Sequence, residues 1–136
     1  MRPTDAAKRW SDTWQRSWEA LDAAAIVALY AADAVIYTEP FREPSLGPER
    51  VRSYLNLVFA EEELPQVVMG TPIVEGDRGA VPWWASLHEN GTEVTLAGTS
   101  VLRFDADGLV LEQWDTWNEA KNRRLPPAGL RAFADR

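Results

Sequence analysis

The chain contains no cysteine and a single histidine, His88. The lack of cysteine excludes disulfides, thiolate nucleophiles and cysteine-ligated metals. One histidine argues against a transition-metal centre and against a serine–histidine–aspartate relay. His88 precedes Glu89-Asn90-Gly91, a turn signal, so we expect it in solvent at the tip of a hairpin. We therefore predict that the protein uses neither a metal nor a cofactor.

Basic residues are fewer than acidic ones, and long apolar runs are missing. The formal net charge of −7 would repel nucleic acid. No stretch approaches the length of a membrane span, and the N-terminal segment has no apolar secretory core. We therefore predict a soluble, cytoplasmic protein that binds neither nucleic acid nor membranes.

Aromatic residues, in contrast, are abundant. Seven Trp occur among 136 residues, and 46% of the chain is hydrophobic. Because a buried indole N–H needs a hydrogen-bond partner, this content indicates a wide aromatic wall at a pocket or an interface. The length suits one domain, with a core over about residues 8–119. We expect residues 120–136 to be a tail that packs on the surface through Leu130 or Phe133.

Helical periodicity occupies the first half of the chain and strands the second. The apolar spacing predicts a helix over Thr4–Leu21, a short helix capped by Asp22, and a third helix that starts at Pro48. A first strand is expected over Val35–Glu39. Four more follow, and the first of these lies around Val67–Val74. Helices followed by an antiparallel meander predict an α+β fold. Its N-terminal helices would pack on a strongly curved antiparallel sheet and enclose a pocket.

Two turn signals predict the register of the last three strands. A two-residue turn at Asn90-Gly91 pairs Trp83 with Gly98. A four-residue loop at Asp105–Gly108 would then pair Gly98 with Asp115. A slip of one residue would turn the strands' leucines to solvent, which supports this register. The row Trp83, Gly98 and Asp115 would lie on the concave side, with room for a ligand above the glycine.

Asp115 is the leading candidate for a catalytic group. Gln113 and Trp117 share its strand face, so burial should desolvate its carboxylate and raise its pKa. A carboxyl group with such a pKa is a usable acid or base near neutrality. The alternative is that Asp115 only accepts a hydrogen bond from the indole N–H of Trp14 or Trp83.

Glu39 is the second catalytic candidate. Period two places it on one strand face with Val35 and Tyr37, where it could reach the cavity mouth. Alternatively, Glu39 is solvated and paired with Arg42. The side chains predicted to bind substrate are mostly aromatic or adjoin Asp115 in the expected sheet: Trp14, Trp18, Tyr37, Tyr54, Phe59, Trp83, Gly98, Ser100, Gln113 and Trp117. For the helical members of this set, ordinary core packing is the alternative.

Several segments resemble a known family. They are Ile26–Ala34, Glu39-Pro40-Phe41, Gly47 before a helix, and Asp107-Gly108 followed by Gln113–Asn118. Together they resemble the SnoaL-like branch of the NTF2-like superfamily, and the resemblance covers the chain from about Trp10 to Asn118. It implies a cone-shaped fold that hosts ketosteroid isomerases, polyketide cyclases, limonene-type epoxide hydrolases and non-catalytic binders.

The resemblance separates two of these activities by their essential residues. Asp115 matches the Asp that SnoaL-type cyclases and limonene-type epoxide hydrolases need on the last strand. The epoxide hydrolases also need an Arg and a second Asp, and here Trp83 and Ala85 stand at those positions. The resemblance therefore keeps the cyclase residue and lacks the hydrolase set.

The ketosteroid isomerases provide a third comparison. Their catalytic base matches Glu39, and the Tyr and Asp of their oxyanion hole match Trp14 and Ser100. An indole N–H and a hydroxyl are donors, but each is a weaker acid than the group it replaces. An isomerase with these residues would be impaired, so it ranks below a cyclase-like enzyme.

The leading expectation is a cofactor-independent enzyme that carries out cyclisation, isomerisation or hydrolysis on a hydrophobic small molecule by acid/base chemistry. A non-catalytic protein that binds a hydrophobic ligand is the first alternative, and a dimerisation scaffold filled by its own Trp side chains is the second. Four residues, Trp84, Ala97, Thr99 and Trp114, alternate onto the opposite sheet face. The resemblance implies a homodimer across that face.

Overall fold

The computed structural model describes residues 1–130, so the predicted contact of Phe133 lies outside the described residues. In chain order the elements are α1 (Pro3–Glu19), α2 (Ala23–Val27), β1 (Tyr30–Tyr37), β2 (Ser45–Leu46), α3 (Pro48–Phe59), β3 (Glu62–Met69), β4 (Ile73–Glu75), β5 (Arg78–Glu89), β6 (Thr92–Phe104) and β7 (Val110–Ala120). The helices pack on one face of an open sheet, which confirms the predicted α+β cone of the NTF2-like type. No helix in residues 1–130 is long and apolar enough to cross a membrane.

Local signals placed the helices well. Asp22 caps α2, because its side chain accepts a hydrogen bond of 3.3 Å from the backbone N–H of Ala25. Pro48 begins α3, where its missing N–H costs nothing. The core between helices and sheet includes Trp10 and Trp18 of α1, both of which are buried.

The sheet is mixed, and this corrects the purely antiparallel prediction. Its strand order is β2-β1-β7-β6-β5-β3, with β4 paired to β5. β1 runs parallel to β7, and it begins at Tyr30 rather than at Val35. Parallel strands need a long connection, and here the chain passes through β2, α3 and β3 to β6 between the two strands. No turn signal could have revealed their pairing.

The first predicted hairpin register is confirmed, and the second is wrong by two residues. Trp83 pairs with Gly98 as expected. On the next strand, however, Gly98 faces Trp117, and Asp115 faces Ser100. The loop is one residue longer than predicted, so Phe104 pairs with Val110. A β-bulge then adds another residue. Because side chains alternate with period two, a shift of two keeps Asp115 on the predicted concave face.

The sequence suggested that Gly98 leaves room for a ligand, but in the structure it does not. A Cβ atom at this position would lie 2.6 Å from Cβ and 2.8 Å from Cα of Trp117 on the neighbouring strand. The missing side chain therefore lets β6 and β7 approach each other closely. Gly98 serves the packing of the sheet, and the cavity lies elsewhere on the concave face.

We predict that Gly98→Ala destabilises the protein by about 1–3 kcal/mol, because the added methyl group overpacks against a strand that is held in its ladder. Urea unfolding measures the change. Gly129→Ala is the control, since no heavy atom lies within 4 Å of the Cβ it would add. Equal stability of Gly98→Ala and the parent would contradict the close approach.

Candidate functional site

A cavity of about 140 Å³ lies between the helices and the concave face of the sheet. The Trp side chains around it leave this space open. Its wall is mainly aromatic and aliphatic: Trp10, Trp14, Trp18, Tyr54, Leu55, Val58, Phe59, Met69, Trp83, Leu96 and Trp117. Its polar lining is a smaller set: Thr38, Glu62, Glu89, Ser100, Gln113, Asp115 and Glu119. An apolar wall with a few convergent polar groups is typical of a small-molecule site.

Most of the predicted site residues meet at this cavity. Asp115 lines it together with eight of the residues predicted to bind substrate: Trp14, Trp18, Tyr54, Phe59, Trp83, Ser100, Gln113 and Trp117. The structure does not bring Gly98, Tyr37 or Glu39 to its wall.

Tyr37 lies on the outer face of the sheet, and Glu39 lies beyond the end of β1. The Tyr37 ring stacks on Trp114 of the outer face, with centroids 6.3 Å apart and planes within 1°. The intervening Thr38 lines the cavity instead. Glu39 is half exposed and forms an ion pair of 3.8 Å with Arg42. The structure therefore contains the alternative arrangement, in which Glu39 is solvated and paired with Arg42. The reason is that β1 turns its even-numbered residues inward.

Two side chains hold the carboxylate of Asp115. The hydroxyl of Ser100 donates to Oδ1 over 2.6 Å. Nε2 of Gln113 donates to Oδ1 over 3.0 Å and to Oδ2 over 3.2 Å. Oδ1 thus receives the two shorter bonds, and Oδ2 is the oxygen with more capacity left for a ligand.

A second layer of donors orients Gln113. Its Oε1 accepts from the phenol of Tyr30 over 2.5 Å and from the indole N–H of Trp10 over 3.2 Å. Trp14 donates in turn to the Tyr30 oxygen over 3.2 Å. With its oxygen held by donors, the Gln113 amide must present its NH₂ group to Asp115.

Trp83 has the same effect on Ser100. Its indole N–H donates to Oγ of Ser100 over 3.1 Å, so the hydroxyl hydrogen is free to point at Asp115. The indole N–H groups therefore orient Ser100 and Gln113, which in turn donate to Asp115. A direct hydrogen bond from Trp14 or Trp83 to Asp115, the alternative considered from the sequence, is not what the structure contains. All of these bonds point toward the carboxylate, which favours its ionised form.

Burial nevertheless raises the pKa of Asp115 to about 6. The hydrogen bonds from Ser100 and Gln113 act in the opposite direction and offset only part of the desolvation. Burial also raises the pKa of Tyr30, and the nearby charge of Asp115 adds to that effect. Tyr30 therefore remains a neutral donor, while Asp115 is mainly a carboxylate at neutral pH and can still take up a proton.

Glu62 is a functional candidate that the sequence analysis missed. Only 4% of its surface is exposed, and it lines the cavity at the start of β3. The indole N–H of Trp18 donates to its Oε1 over 2.8 Å. Burial and, to a smaller extent, the charge of Glu89 on the paired strand raise the pKa of Glu62 to about 7, although the hydrogen bond from Trp18 acts in the opposite direction.

In the sequence, Glu62 belongs to the charged run Glu61-Glu62-Glu63. Such a run is typical of a solvated loop, so it gave no indication of a buried site residue. A one-residue irregularity in the pairing of β3 with β5 follows this run, where Leu64 adopts a φ of 53°. This extra residue reverses the alternation set by Val67 and Met69. Strict period two would have turned Glu63 inward, so no local signal identified Glu62.

Comparisons with known proteins agree with this architecture. RV0760c from Mycobacterium tuberculosis superposes with a TM-score of 0.74 at 20% identity, over 85% of this chain and 95% of that one. The epoxide hydrolase/cyclase-like enzyme SalBIII, described for pyran ring formation in polyether salinomycin, superposes with a TM-score of 0.71 at 20% identity. That match covers 85% of this chain and 94% of SalBIII. At this identity, the likeness concerns the fold.

The sequence itself identifies the family. No functionally curated protein matches the chain. The family model of the SnoaL-like domain, however, matches residues 8–113, which include the helices, most of the sheet and Gln113 of the site. The chain therefore belongs to the SnoaL-like domain family.

Proposed function

We propose that this protein is a cofactor-independent enzyme that moves a proton on a hydrophobic small molecule, with Asp115 as the base. One observation carries the proposal: a carboxylate with a pKa of about 6 lines an aromatic cavity and is held there by Ser100 and Gln113. Membership of the SnoaL-like family and the fold likeness to a cyclase-like enzyme support this class of reaction.

The reaction that suits the site best is an intramolecular ring closure. Oδ2 of Asp115 takes the proton of a substrate hydroxyl while the hydroxyl oxygen attacks an electrophilic carbon and forms a C–O bond. Asp115 then returns the same proton to the atom that received the electron pair. The product is an isomer of the substrate, so no oxidant, reductant or cofactor is consumed. The apolar wall excludes water that would compete with the hydroxyl.

The other activities of related folds find less support in the site. Trp83, which stands where an epoxide hydrolase has its Arg, donates to Ser100. Glu39, which stands at the isomerase base, lies away from the cavity in its ion pair with Arg42. The two donors at the oxyanion-hole positions are already engaged, Trp14 with Tyr30 and Ser100 with Asp115.

A non-catalytic binding protein is the second candidate. The indole N–H groups of the cavity wall donate to protein atoms, as Trp117 does to the carbonyl oxygen of Thr38 over 2.7 Å. Engaged donors offer little stabilisation to charge that develops on a substrate oxygen. This observation favours storage or delivery of a hydrophobic ligand, and the experiments below distinguish the two candidates.

We predict that Asp115 titrates with a pKa near 6 and that Ser100→Ala moves this pKa higher, because the variant loses a donor to the ionised form. Carbon-13 NMR of the Asp carboxyl groups measures both values. Thr116→Ala, on the opposite face of β7, should leave the pKa unchanged. A pKa near the ordinary value of about 4 would remove the base and favour the binding protein.

We predict that Asp115→Asn slows ring closure by at least about 100-fold, because the amide cannot accept the proton. Chromatography of a panel of hydrophobic hydroxy-enones, whose hydroxyl can add to the conjugated alkene, would detect cyclic isomers of unchanged mass. The parent rate should fall below about pH 6, where Asp115 is protonated.

Glu39→Gln is the matched control for this experiment, since it neutralises a carboxylate outside the cavity and should retain the parent rate. Folding of each variant is checked by its urea transition. Equal turnover by Asp115→Asn and the parent, with both proteins folded, would exclude the catalytic role.

We also propose that two copies of the chain associate through the outer sheet face. A row of apolar side chains, Ala80, Val101, Trp114 and Tyr37, crosses four paired strands on that face. Val101 and Trp114 are each 38% exposed. Trp84 is a neighbour on the same face, and its indole N–H donates to the carbonyl oxygen of Arg124 in the tail over 2.8 Å. The apolar row beside it remains available to a partner.

We predict that Val101→Glu converts a dimer into a monomer, because each copy would place a desolvated carboxylate in the centre of the interface. Sedimentation equilibrium measures the mass. Leu57→Glu, an equally polar change at an exposed position of α3, should remain dimeric. A monomeric parent would contradict the proposal directly.

A further inference from the structure

The carboxylate of Glu62 lacks a countercharge. Buried carboxylates in proteins are normally paired with a cation, because desolvation of an unpaired charge costs several kcal/mol. Glu62 is almost fully buried, and its hydrogen-bond donor is the neutral indole of Trp18. No ion pair within residues 1–130 includes Glu62. The residue directly across the sheet, Glu89, adds a second negative charge.

The whole cavity has the same sign of charge. Its ionisable carboxyl groups belong to Glu62, Glu89, Asp115 and Glu119, and no Lys, Arg or His of the described chain lines it. Lys121 is exposed and does not line the cavity, but it forms an ion pair with Glu119 and its charge also interacts with that of Glu89. A low-dielectric space surrounded by carboxylates attracts cations and rejects anions.

The wall next to Glu62 is suited to a cation as well. Trp18 lies between Trp14 and Trp83, with ring centroids 5.9 Å and 5.6 Å away. Indole faces attract ammonium groups through the ring quadrupole, and this attraction strengthens when the cation is desolvated. The same residues present apolar surface to the uncharged part of a ligand.

We infer that the cavity takes a hydrophobic molecule that carries a positive charge, such as a protonated amine, with the ammonium group at Glu62. The carbon skeleton then extends along the Trp wall toward Asp115. This inference rests on the proposed function for the identity of the substrate cavity, but it requires no chemistry at Asp115.

The ammonium group supplies the positive charge that Glu62 lacks among its protein neighbours. Trp18 holds Oε1 of Glu62, and the ligand N–H groups donate to the remaining acceptor positions of the carboxylate. The cation also offsets the repulsion between Glu62 and Glu89. A carboxylate ligand of the same shape would add a third negative charge and is rejected.

Three small probes of one shape test the inference: benzylammonium, benzyl alcohol and benzoate. Binding is followed by Trp fluorescence and by isothermal titration at about pH 8, above the pKa of about 7 that burial gives Glu62. Benzylammonium should bind at least about tenfold more tightly than benzyl alcohol, and benzoate should not bind at millimolar concentration.

Glu62→Gln should remove most of the preference for benzylammonium and leave the affinity for benzyl alcohol unchanged, because the other carboxylates of the cavity lie farther from the proposed ammonium position. The amide keeps the shape of the side chain and can still accept from Trp18. Glu63→Gln is the matched control, because it makes the same charge change at the neighbouring exposed position and should retain the preference.

Several outcomes would overturn the inference. They are equal binding of the charged and neutral probes, tight binding of benzoate, no binding of benzylammonium at millimolar concentration, and an unchanged preference in Glu62→Gln. Asp115→Asn separates this test from the proposed function. That variant should keep the preference for benzylammonium even though it loses turnover, so failure of one hypothesis does not imply failure of the other.

Discussion

Desolvation of a carboxylate is the cost that organises the concave face of this protein. Burying Asp115 among Trp side chains is tolerable only because Ser100 and Gln113 donate to it, and these two residues are themselves oriented by Trp83, Tyr30 and Trp10. The indole N–H groups of Trp10, Trp14 and Trp83 find their acceptors in this network, so one arrangement satisfies both the carboxylate and these three members of the wall. The remaining desolvation appears as a raised pKa, which is the property that a base near neutrality needs.

The two desolvated carboxyl groups of the cavity, Asp115 and Glu62, differ in how they are satisfied. Asp115 has donors on both sides and a second layer behind them. Among the residues that the structure describes, Trp18 is the one side chain that donates a hydrogen bond to Glu62, and Glu89 faces it across the sheet. A well-supported group is suited to a step in which its protonation state must change reversibly, while an under-supported one is suited to holding a ligand that brings the missing charge. In the function and the ligand class proposed above, Asp115 is the chemical end of the cavity and Glu62 its recognition end, and the contacting rings of Trp18 and Trp83 lie along the wall.

The register error in the second hairpin shows how far sequence patterns reach. The loop after β6 was one residue longer than its turn signal indicated, and a bulge added one more, yet Asp115 and Gln113 stayed on the predicted face. Two displacements of one residue cancel in a structure with period two. In β3 a single extra residue had no such counterpart, and it brought Glu62 inward without any local sign. Asp115 kept its predicted face because a shift of two residues preserves the alternation of side chains, whereas the shift of one residue in β3 reversed it and turned Glu62 inward.

Sequence patterns by themselves indicated the family, the order of the helices and of the five longer strands, the first hairpin and most of the aromatic wall, because caps, turns and periodicity depend on neighbours in the chain. The short strands β2 and β4 were not predicted. Only the tertiary structure decided that β1 runs parallel to β7 and that Trp117 occupies the space beside Gly98. It also decided that Glu39 and Tyr37 lie away from the cavity. These features depend on contacts between segments distant in sequence. Their energies arise only when the strands meet, so no local pattern encodes them.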